Sequence, residues 1–253
     1  MQLWPLDPIR IVLVEPAGPL NLGATARIMK NMGLHRLVLV NPRCDPQDPL
    51  ARQMAVHAGD VLAAARVVTS LVDALADCQR AIATTGRLHP QNQPLESPET
   101  ALPWLLPPTP QPDWAGALIF GPEDRGLSNE ELIHAQRWVR IPASDAYPSL
   151  NLAQAVGVCS YLLHRLALDT TDSGGGGQAT YHQADLNQFE EFYQDLEAIL
   201  LRIGYLYPHT ASTRMAKLRQ LLNRAGPNQN ELAMLRGVLR QINWVLETHQ
   251  DPS

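Results

Sequence analysis

The chain has few of the residues that build disulfide frameworks, metal sites or membrane spans. Its three cysteines, Cys44, Cys78 and Cys159, are far apart and form no CxxC pair, so we expect reduced thiols and no zinc site. Its eight histidines form no HxxH or HxxxH pair, and we expect no metal. No apolar run approaches the roughly 20 residues that a bilayer span requires, and no basic stretch followed by an apolar one opens the chain. We therefore expect a cytoplasmic protein with no membrane partner.

What is present is the composition of a folded protein with unevenly distributed charge. The 253 residues are 45% hydrophobic, enough to build a core in one large domain or a domain with an appendage. The net charge of −5 by itself argues only weakly against a nucleic-acid partner. From Arg202 to Arg240, however, seven basic residues accompany the single acid Glu231. A solvated helix face and a phosphate-binding surface both explain this cluster, and the clustering favours the second.

Residues 9–168 alternate between strand-like and helix-like segments. Short apolar runs predict strands at Ile9–Glu15, Arg36–Val40, Val67–Thr69, Arg80–Thr84, Ala117–Phe120 and Val139–Ile141. Runs without polar alternation are typical of strands covered on both faces, so we predict an α/β fold with a mostly parallel sheet flanked by helices. Asn21 is predicted to cap a helix that runs to Met32 and stops at Gly33. Ser128 and Glu131 predict a capping box at another helix start.

Two segments interrupt this alternation. His89–Trp114 contains eight prolines, which predicts a loop with a short helix near Pro98–Leu105. Residues 170–180 contain four consecutive glycines and predict a flexible linker. We therefore divide the chain into a domain at 1–169, a linker at 170–180 and an extension at 181–253. Helical patterns in the extension at Asp185–Ile203, Ser212–Ala225 and Asn228–Glu247 predict a small helical bundle.

Several loops at predicted strand ends carry small and polar residues. Thr84-Thr85-Gly86-Arg87 and Gly121–Leu127 each follow a strand, and Tyr147–Asn151 opens the apolar helix predicted at Leu152–Leu168. Each loop alone is explained by a tight turn, and a helix start can also receive a ligand at its free N–H groups. Because ligands of open α/β sheets bind at the carboxyl ends of strands, these loops are expected to converge there.

The first of the helices carries an arginine that packing does not explain. Asn21-Leu22-Gly23-Ala24-Thr25-Ala26-Arg27 departs from GxGxxG, so it is a poor dinucleotide fingerprint. Small residues packed against the sheet account for most of it but not for Arg27. That guanidinium requires an anion, either within the protein or on a substrate, and its planar fork suits phosphate.

Three ordered motifs carry a resemblance to a known family. Asn21-x-Gly23-x-x-x-Arg27, Phe120-Gly121-x-Glu123-x-x-Gly126-Leu127 and Tyr147-x-Ser149-Leu150-Asn151-Leu152 resemble the motifs of the SPOUT methyltransferases, SpoU branch. The resemblance covers residues 9–168. The tail Lys217-Leu218-Arg219…Asn223-Arg224 is similar to that of the TrmJ type, the tRNA (cytidine/uridine-32-2′-O)-methyltransferases.

The resemblance implies a fold, a cofactor and an assembly. The sheet would end in a deep C-terminal trefoil knot, against the usual rule that chains are unknotted, and the chain would form a homodimer. S-adenosylmethionine would be held by the knot loops. The residues that match these loops are Thr84, Thr85, Gly86, Gly121, Ile141, Pro148, Ser149 and Leu150.

The resemblance also implies a reaction, the in-line attack of a ribose 2′-oxygen on the sulfonium methyl group. Arg27 matches the family's catalytic arginine, and since a guanidinium is almost never neutral, we interpret it as a clamp on the target phosphate. Asn21 would orient the site and Glu123 would fix the loop or an arginine. Arg87 and Tyr147 match residues near the substrate, and Lys217, Arg219 and Arg224 would contact tRNA.

Three other functions remain open from the sequence. The chain could methylate rRNA or another tRNA position, it could be a silent RNA-binding protein that keeps the fold, or it could be a nucleotide-binding protein unrelated to RNA. The presence of Arg27 and of the Ser149-Leu150-Asn151 corner argues against silence. The basic stretch 202–240 argues against the last alternative.

Overall fold

The computed structural model describes residues 5–86, 94–107, 114–172 and 184–248. The chain divides into two compact units, Met1–Ala179 and Thr180–Ser253. The prediction for Arg87 lies outside the described residues, as does the part of the predicted linker at 173–180. In the described ranges, no helix combines the length and the hydropathy that a membrane crossing requires.

The first unit contains one parallel sheet of seven strands. Their spatial order is β3-β2-β1-β6-β4-β7-β5, and every pairing among them is parallel. The strands are β1 (Ile9–Val14), β2 (Arg36–Val40), β3 (Arg66–Val68), β4 (Arg80–Thr84), β5 (Leu95–Glu96), β6 (Gly116–Phe120) and β7 (Arg137–Val139). Because all strands run in one direction, their carboxyl ends lie along the same edge of the sheet.

Helices cover the sheet on both faces. Those of the first unit are α1 (Pro19–Asn31), α2 (Pro49–Ala55), α3 (Gly59–Ala63), α4 (Leu71–Leu75), α5 (Pro98–Leu105), α6 (Asn129–Leu132) and α7 (Leu152–Asp172). Ile11 and Leu13 of β1 share one hydrophobic cluster with residues of α1, α5 and α7. The alternate residues Val12 and Val14 are buried as well, so both faces of the strand are covered, as the unbroken apolar runs predict.

The predicted strands and helices are present, with differences at their ends. The helix within the proline-rich segment is found at Pro98–Leu105, and α7 continues to Asp172, past the predicted start of the linker. The short elements α4 and β5 were not predicted. Glu15, Thr69 and Ile141 each lie just beyond the end of the strand to which the sequence assigned them.

One capping prediction was wrong. Helix α1 begins three residues earlier than expected, with Gly18 as its N-cap and Pro19 in its first turn. Proline is favoured at this position because its missing N–H is not needed and its φ angle already suits a helix. Asn21 therefore lies inside the first turn, and its side chain is free to bond outside the helix. The predicted end is correct to within one residue, since Met32 is the C-cap and Gly33 follows it with φ +74°.

The second unit is built from three helices, α8 (Leu186–Arg202), α9 (Ala211–Ala225) and α10 (Gln229–Thr248). Phe189, Phe192 and Tyr193 of α8 form a hydrophobic cluster with Met215 of α9 and Leu239 of α10. Helix α8 is capped at its start, where the Asp185 side chain accepts a hydrogen bond from the Gln188 N–H (2.7 Å).

Candidate active site

A cleft lies at the carboxyl ends of the neighbouring strands β6, β4 and β7. The empty space within it, including the part that is open to solvent, amounts to about 650 Å³. All eight residues that the sequence assigned to cofactor binding line it. The lining consists of Thr84, Thr85, Gly86, Phe120, Gly121, Pro122, Glu123, Gly126, Ile141, Pro148, Ser149, Leu150, Leu152 and Ala155.

The loop after β6 folds back on itself, and Gly121 makes this possible. A Cβ atom at Gly121 would lie 2.3 Å from the Leu127 nitrogen and 2.4 Å from the Gly126 carbonyl carbon. Gly126 itself has φ +67°, a backbone conformation that favours glycine. Gly121 is therefore required first by the shape of its own loop, rather than by the approach of a ligand.

Glu123 ties this loop to the start of helix α1. Its carboxylate accepts hydrogen bonds from the backbone N–H groups of Ala17 and Gly18, both at 3.1 Å, and from the Asn21 side-chain amide at 2.9 Å. Partial burial alone would raise the pKa of the Glu123 carboxyl, but these hydrogen bonds outweigh it and lower the pKa below its ordinary value. Glu123 is thus an ionised anchor for the loop, and it contacts α1 rather than an arginine.

Asn151 connects the same anchor to the start of helix α7. Its side-chain amide donates to Oδ1 of Asn21 at 2.9 Å, and its own Oδ1 accepts from the N–H groups of Ala153 at 2.9 Å and Gln154 at 3.4 Å. The helix start is therefore capped internally, and these two N–H groups are not offered to a ligand as the sequence suggested. The corner presents Pro148, Ser149 and Leu150 to the cleft instead.

A network of charges fixes the outer side of the loop after β6. Glu15 follows β1 with φ +46°, and its carboxylate pairs with Arg43 and with Arg125 (3.3 Å). Arg43 also pairs with Asp124 at 2.9 Å. Arg125 makes two further hydrogen bonds of 2.8 Å to Glu131, a bidentate arrangement that restricts both side chains. The acidic residues of the loop thus have partners within the first unit.

Two of the residues expected to contact the substrate, Arg27 and Tyr147, are not part of the cleft lining. Arg27 lies on the exposed side of α1, and in the described residues no hydrogen bond or ion pair engages its guanidinium. Tyr147 is 79% exposed and immediately precedes Pro148. The anion that Arg27 requires is therefore not supplied by the described part of this chain.

The basic cluster of the second unit is smaller than the sequence suggested. Arg219 forms two hydrogen bonds with Glu190, of 2.6 and 2.7 Å, and lies 4.3 Å from the Tyr193 ring centre. The Arg219 and Glu190 side chains are only 12% and 15% exposed, so Arg219 stabilises the helices and is poorly placed to contact RNA. Lys217 and Arg224 of α9 are exposed.

Comparisons with known proteins agree with these motifs. The SpoU rRNA Methylase family model matches residues 8–161, and the model of the tRNA methyltransferase TrmJ C-terminal domain matches residues 187–252. The chain belongs to the SpoU methylase family. Within it, the chain is 38% identical to the tRNA (cytidine/uridine-2′-O-)-methyltransferase TrmJ of Pectobacterium atrosepticum, over 97% of this chain and 100% of that protein. The recognition of a TrmJ-type SpoU methylase from the sequence is thus confirmed.

Solved structures of SpoU methylases and related proteins resemble the chain as well. TrmJ from Z. mobilis ZM4 superposes with a TM-score of 0.78 at 33% identity, covering 92% of this chain and 98% of that one. A protein studied for 2-OH methylation of C/U34 on tRNA superposes with a TM-score of 0.52 at 27% identity, over 64% of this chain and 97% of that one.

The sequence missed two contributors to this SpoU methylase site. Asn151 belongs to the third motif, and its place before an apolar helix is a signal for a cap. The sequence pattern assigns Glu15 only to the end of a predicted strand. Its carboxylate pairs with both Arg43 and Arg125. These residues are far away in the sequence, so no local pattern predicts the contacts.

Proposed function

We propose that the chain transfers a methyl group from S-adenosylmethionine to the 2′-hydroxyl of a cytidine or uridine in tRNA. The observation that carries this proposal is the cleft. Loops from the second and third family motifs meet there at the carboxyl edge of the sheet. The hydrogen-bonded side chains of Glu123, Asn21 and Asn151 link these loops to the first motif. The TrmJ relatives carry this activity in their names.

The residues of the cleft fit the methyl donor. Ile141, Pro148 and Leu150 offer apolar surface for an adenine, while the exposed Ser149 hydroxyl and the backbone at Thr85 and Gly86 offer polar contacts. When bound, S-adenosylmethionine supplies a methyl group already activated by a sulfonium, so the protein's task is mainly to position the two reactants.

Arg27 acts in this proposal as a clamp on the phosphate next to the target ribose. A guanidinium carries five N–H donors and no acceptor, so Arg27 is suited to bind an anion and not to act as a base. It is exposed and unpaired within the described ranges, so a substrate phosphate is the partner that suits it. A positive charge held there also favours negative charge on the ribose oxygen during transfer. Glu123, already holding three N–H groups, orients α1 and therefore Arg27.

We propose nucleotide 32 of the anticodon loop as the target. A relative is associated with position 34, so the shared methylase fold alone does not determine the position. The match of residues 187–252 to the TrmJ C-terminal domain supports the TrmJ-type target, with the helical extension acting in tRNA binding. A tRNA substrate also favours a cytoplasmic location.

We infer a homodimer and a trefoil knot from family membership. In support of the dimer, α7 exposes the apolar side chains of Val158, Tyr161 and Leu168, which a second copy would cover. In support of the knot, the segment after β7 returns to line a cleft already formed by the loops after β4 and β6. Sedimentation of the purified chain tests the dimer: a concentration-independent monomer mass contradicts it.

The reaction is tested by incubating the protein with methyl-labelled S-adenosylmethionine and total RNA, and locating the modified nucleotide by mass spectrometry. Label on the ribose of nucleotide 32 supports the full proposal. Label at position 34 or in rRNA would replace the target but keep the chemistry. Absence of transfer to any RNA, with the donor bound, overturns the activity.

A further inference from the structure

The connection between α8 and α9 exposes aromatic rings. Tyr205 and Tyr207 are 55% and 54% exposed. His209 is also exposed, and its ring stacks loosely on that of Tyr207, with centroids 5.9 Å apart and planes at 24°. Isolated exposed tyrosines are ordinary. Here two of the six tyrosines of the chain and an exposed histidine lie within five residues.

The backbone holds these rings in place. Leu206, between the two tyrosines, is buried in the cluster of the second unit. The N–H groups of Tyr205 and Leu206 both donate to the Leu200 carbonyl at 3.0 Å, and the Tyr207 carbonyl accepts from the N–H groups of Thr210 (2.8 Å) and Ala211 (2.9 Å). The connection is therefore anchored on both sides, and the tyrosines project without having to be ordered by a ligand.

Positive charge lies beside these rings. The Arg214 guanidinium is 5.5 Å from the Tyr205 ring centre and donates to the Tyr205 carbonyl at 2.8 Å. Lys217, Leu221 and Arg224 follow Arg214 at intervals of three and four residues, so they share one face of α9. All four are exposed, and the part of the chain that the structure describes supplies no acid to Lys217 or Arg224.

We propose that Tyr205, Tyr207 and His209 form a platform on which an unpaired base of the RNA substrate stacks, while Arg214 and Lys217 contact its phosphates. Every base has a face that stacks on an aromatic ring, and cations beside the rings follow the backbone of a single strand. The ligand class is therefore an unpaired RNA segment, such as a tRNA loop. This inference rests on the proposed function for its substrate and adds a contact site outside the cleft.

A filter-binding assay with the full-length chain and unmodified tRNA tests the platform. The double variant Tyr205→Leu/Tyr207→Leu keeps apolar bulk but removes the rings, and we expect affinity to fall about tenfold, as loss of base stacking does. The salt dependence of binding should stay unchanged, because no charge is removed. Tyr205→Phe/Tyr207→Phe should rescue binding, since phenylalanine keeps the ring.

Two controls make the result specific. Trp244→Leu removes an equally exposed ring from α10 and should leave tRNA affinity and methyl transfer unchanged. Binding of S-adenosylmethionine by the leucine variant, measured by calorimetry, should equal that of the wild type, which also reports that the first unit is folded. Circular dichroism checks the helices of the second unit.

A short RNA that carries 2-aminopurine gives a direct readout of stacking. Its fluorescence should fall on binding to the wild type and remain high with the leucine variant. Unchanged tRNA affinity in that variant, while the wild type binds and methylates tRNA, overturns the platform but not the proposed function. If the wild type binds tRNA through these rings but transfers no methyl group, the proposed function fails and the platform stands. A change in sedimentation of the leucine variant would assign the rings to a protein interface instead and overturn the platform.

Discussion

The side-chain amide of Asn151 donates to the side-chain oxygen of Asn21 at 2.9 Å, joining residues 130 positions apart. Asn21 passes the connection to Glu123. The three sequence motifs are thereby joined by side-chain hydrogen bonds, from Asn151 to Asn21 and from Asn21 to Glu123. The cleft and the helix that carries Arg27 consequently form one positioned unit.

Replacing Asn21 and Asn151 with alanine should show this coupling. Asn151→Ala removes a helix cap, which costs about 0.5–2 kcal/mol of unfolding free energy. Asn21→Ala removes the bond that both variants share, so the double variant should lose less than the sum of the two single losses. Urea unfolding of all four proteins measures the difference, and strict additivity would show that the two side chains act independently.

Arg27→Ala should reduce methyl transfer at least about a hundredfold, as loss of a group that stabilises transition-state charge does, while leaving S-adenosylmethionine binding intact. The guanidinium does not line the cleft, but in the proposed reaction it holds the substrate. Transfer of labelled methyl groups and calorimetry measure the two properties separately. Arg36→Ala, a change at the opposite, amino end of β2, is the matched control. Near-normal transfer by Arg27→Ala would exclude the clamp.

Gly121→Ala and Gly86→Ala should differ sharply in stability. The first methyl group would collide with the Leu127 nitrogen and the Gly126 backbone, whereas the second would meet no atom of the described residues within 4 Å. We expect Gly121→Ala to cost about 1–3 kcal/mol, as other overpacked sites do, and Gly86→Ala to be tolerated. Thermal unfolding provides the comparison; equal midpoints would mean that the loop is not held in its observed shape.

Glu123 should make stability depend on pH in the acidic range. Its pKa is lower in the folded protein than the ordinary value of 4.5, so its contribution is fully present above that value and is lost as the pH falls through the folded pKa. The stability difference between wild type and Glu123→Gln should therefore be largest near neutral pH and shrink below pH 4.5. A difference that stays constant from about pH 7 to about pH 3 would show that the carboxylate charge is not what anchors the loop.

Arg219→Gln and Lys217→Gln should separate stability from RNA binding. Arg219→Gln removes the two hydrogen bonds that Arg219 makes with the nearly buried Glu190 and should cost about 3–5 kcal/mol, as broken buried pairs do. Lys217→Gln should leave stability unchanged but lower the salt dependence of tRNA binding by about one phosphate contact. If instead Arg219→Gln kept its stability and lowered the salt dependence of tRNA binding, Arg219 would be an RNA contact.

Much of the fold follows from local patterns, because each strand and long helix must bury its own apolar residues. The runs at Arg36–Val40 and Arg80–Thr84 coincide with β2 and β4. Strand β5 has two residues and α4 has five, too few to show a period. The predicted start of α1 is wrong because asparagine is a favoured cap residue. Pro19, two residues before Asn21, already lies in the first turn of the helix.

The sequence predicts where the cleft lies, but not which side chains form hydrogen bonds and ion pairs around it. Parallel strands bring the loops at their carboxyl ends together, and all eight assigned residues meet there. The partners of Glu15, Glu123 and Arg219 lie on other elements, between 28 and 110 residues away. The charge count over residues 202–240 therefore did not include the acids of α8, such as Glu190, which pair with these cations.

The pairing of cations in the second unit has a consequence for how quickly RNA is found and released. Residues 184–248 contain seven Lys and Arg and seven Asp and Glu residues, within a chain of net charge −5. Such a surface provides little long-range attraction, so encounters with a polyanion should not gain the roughly 10–1,000-fold acceleration of strongly steered association. Recognition then depends on short-range contacts that form after collision. We expect tRNAs that do not make these contacts to dissociate quickly.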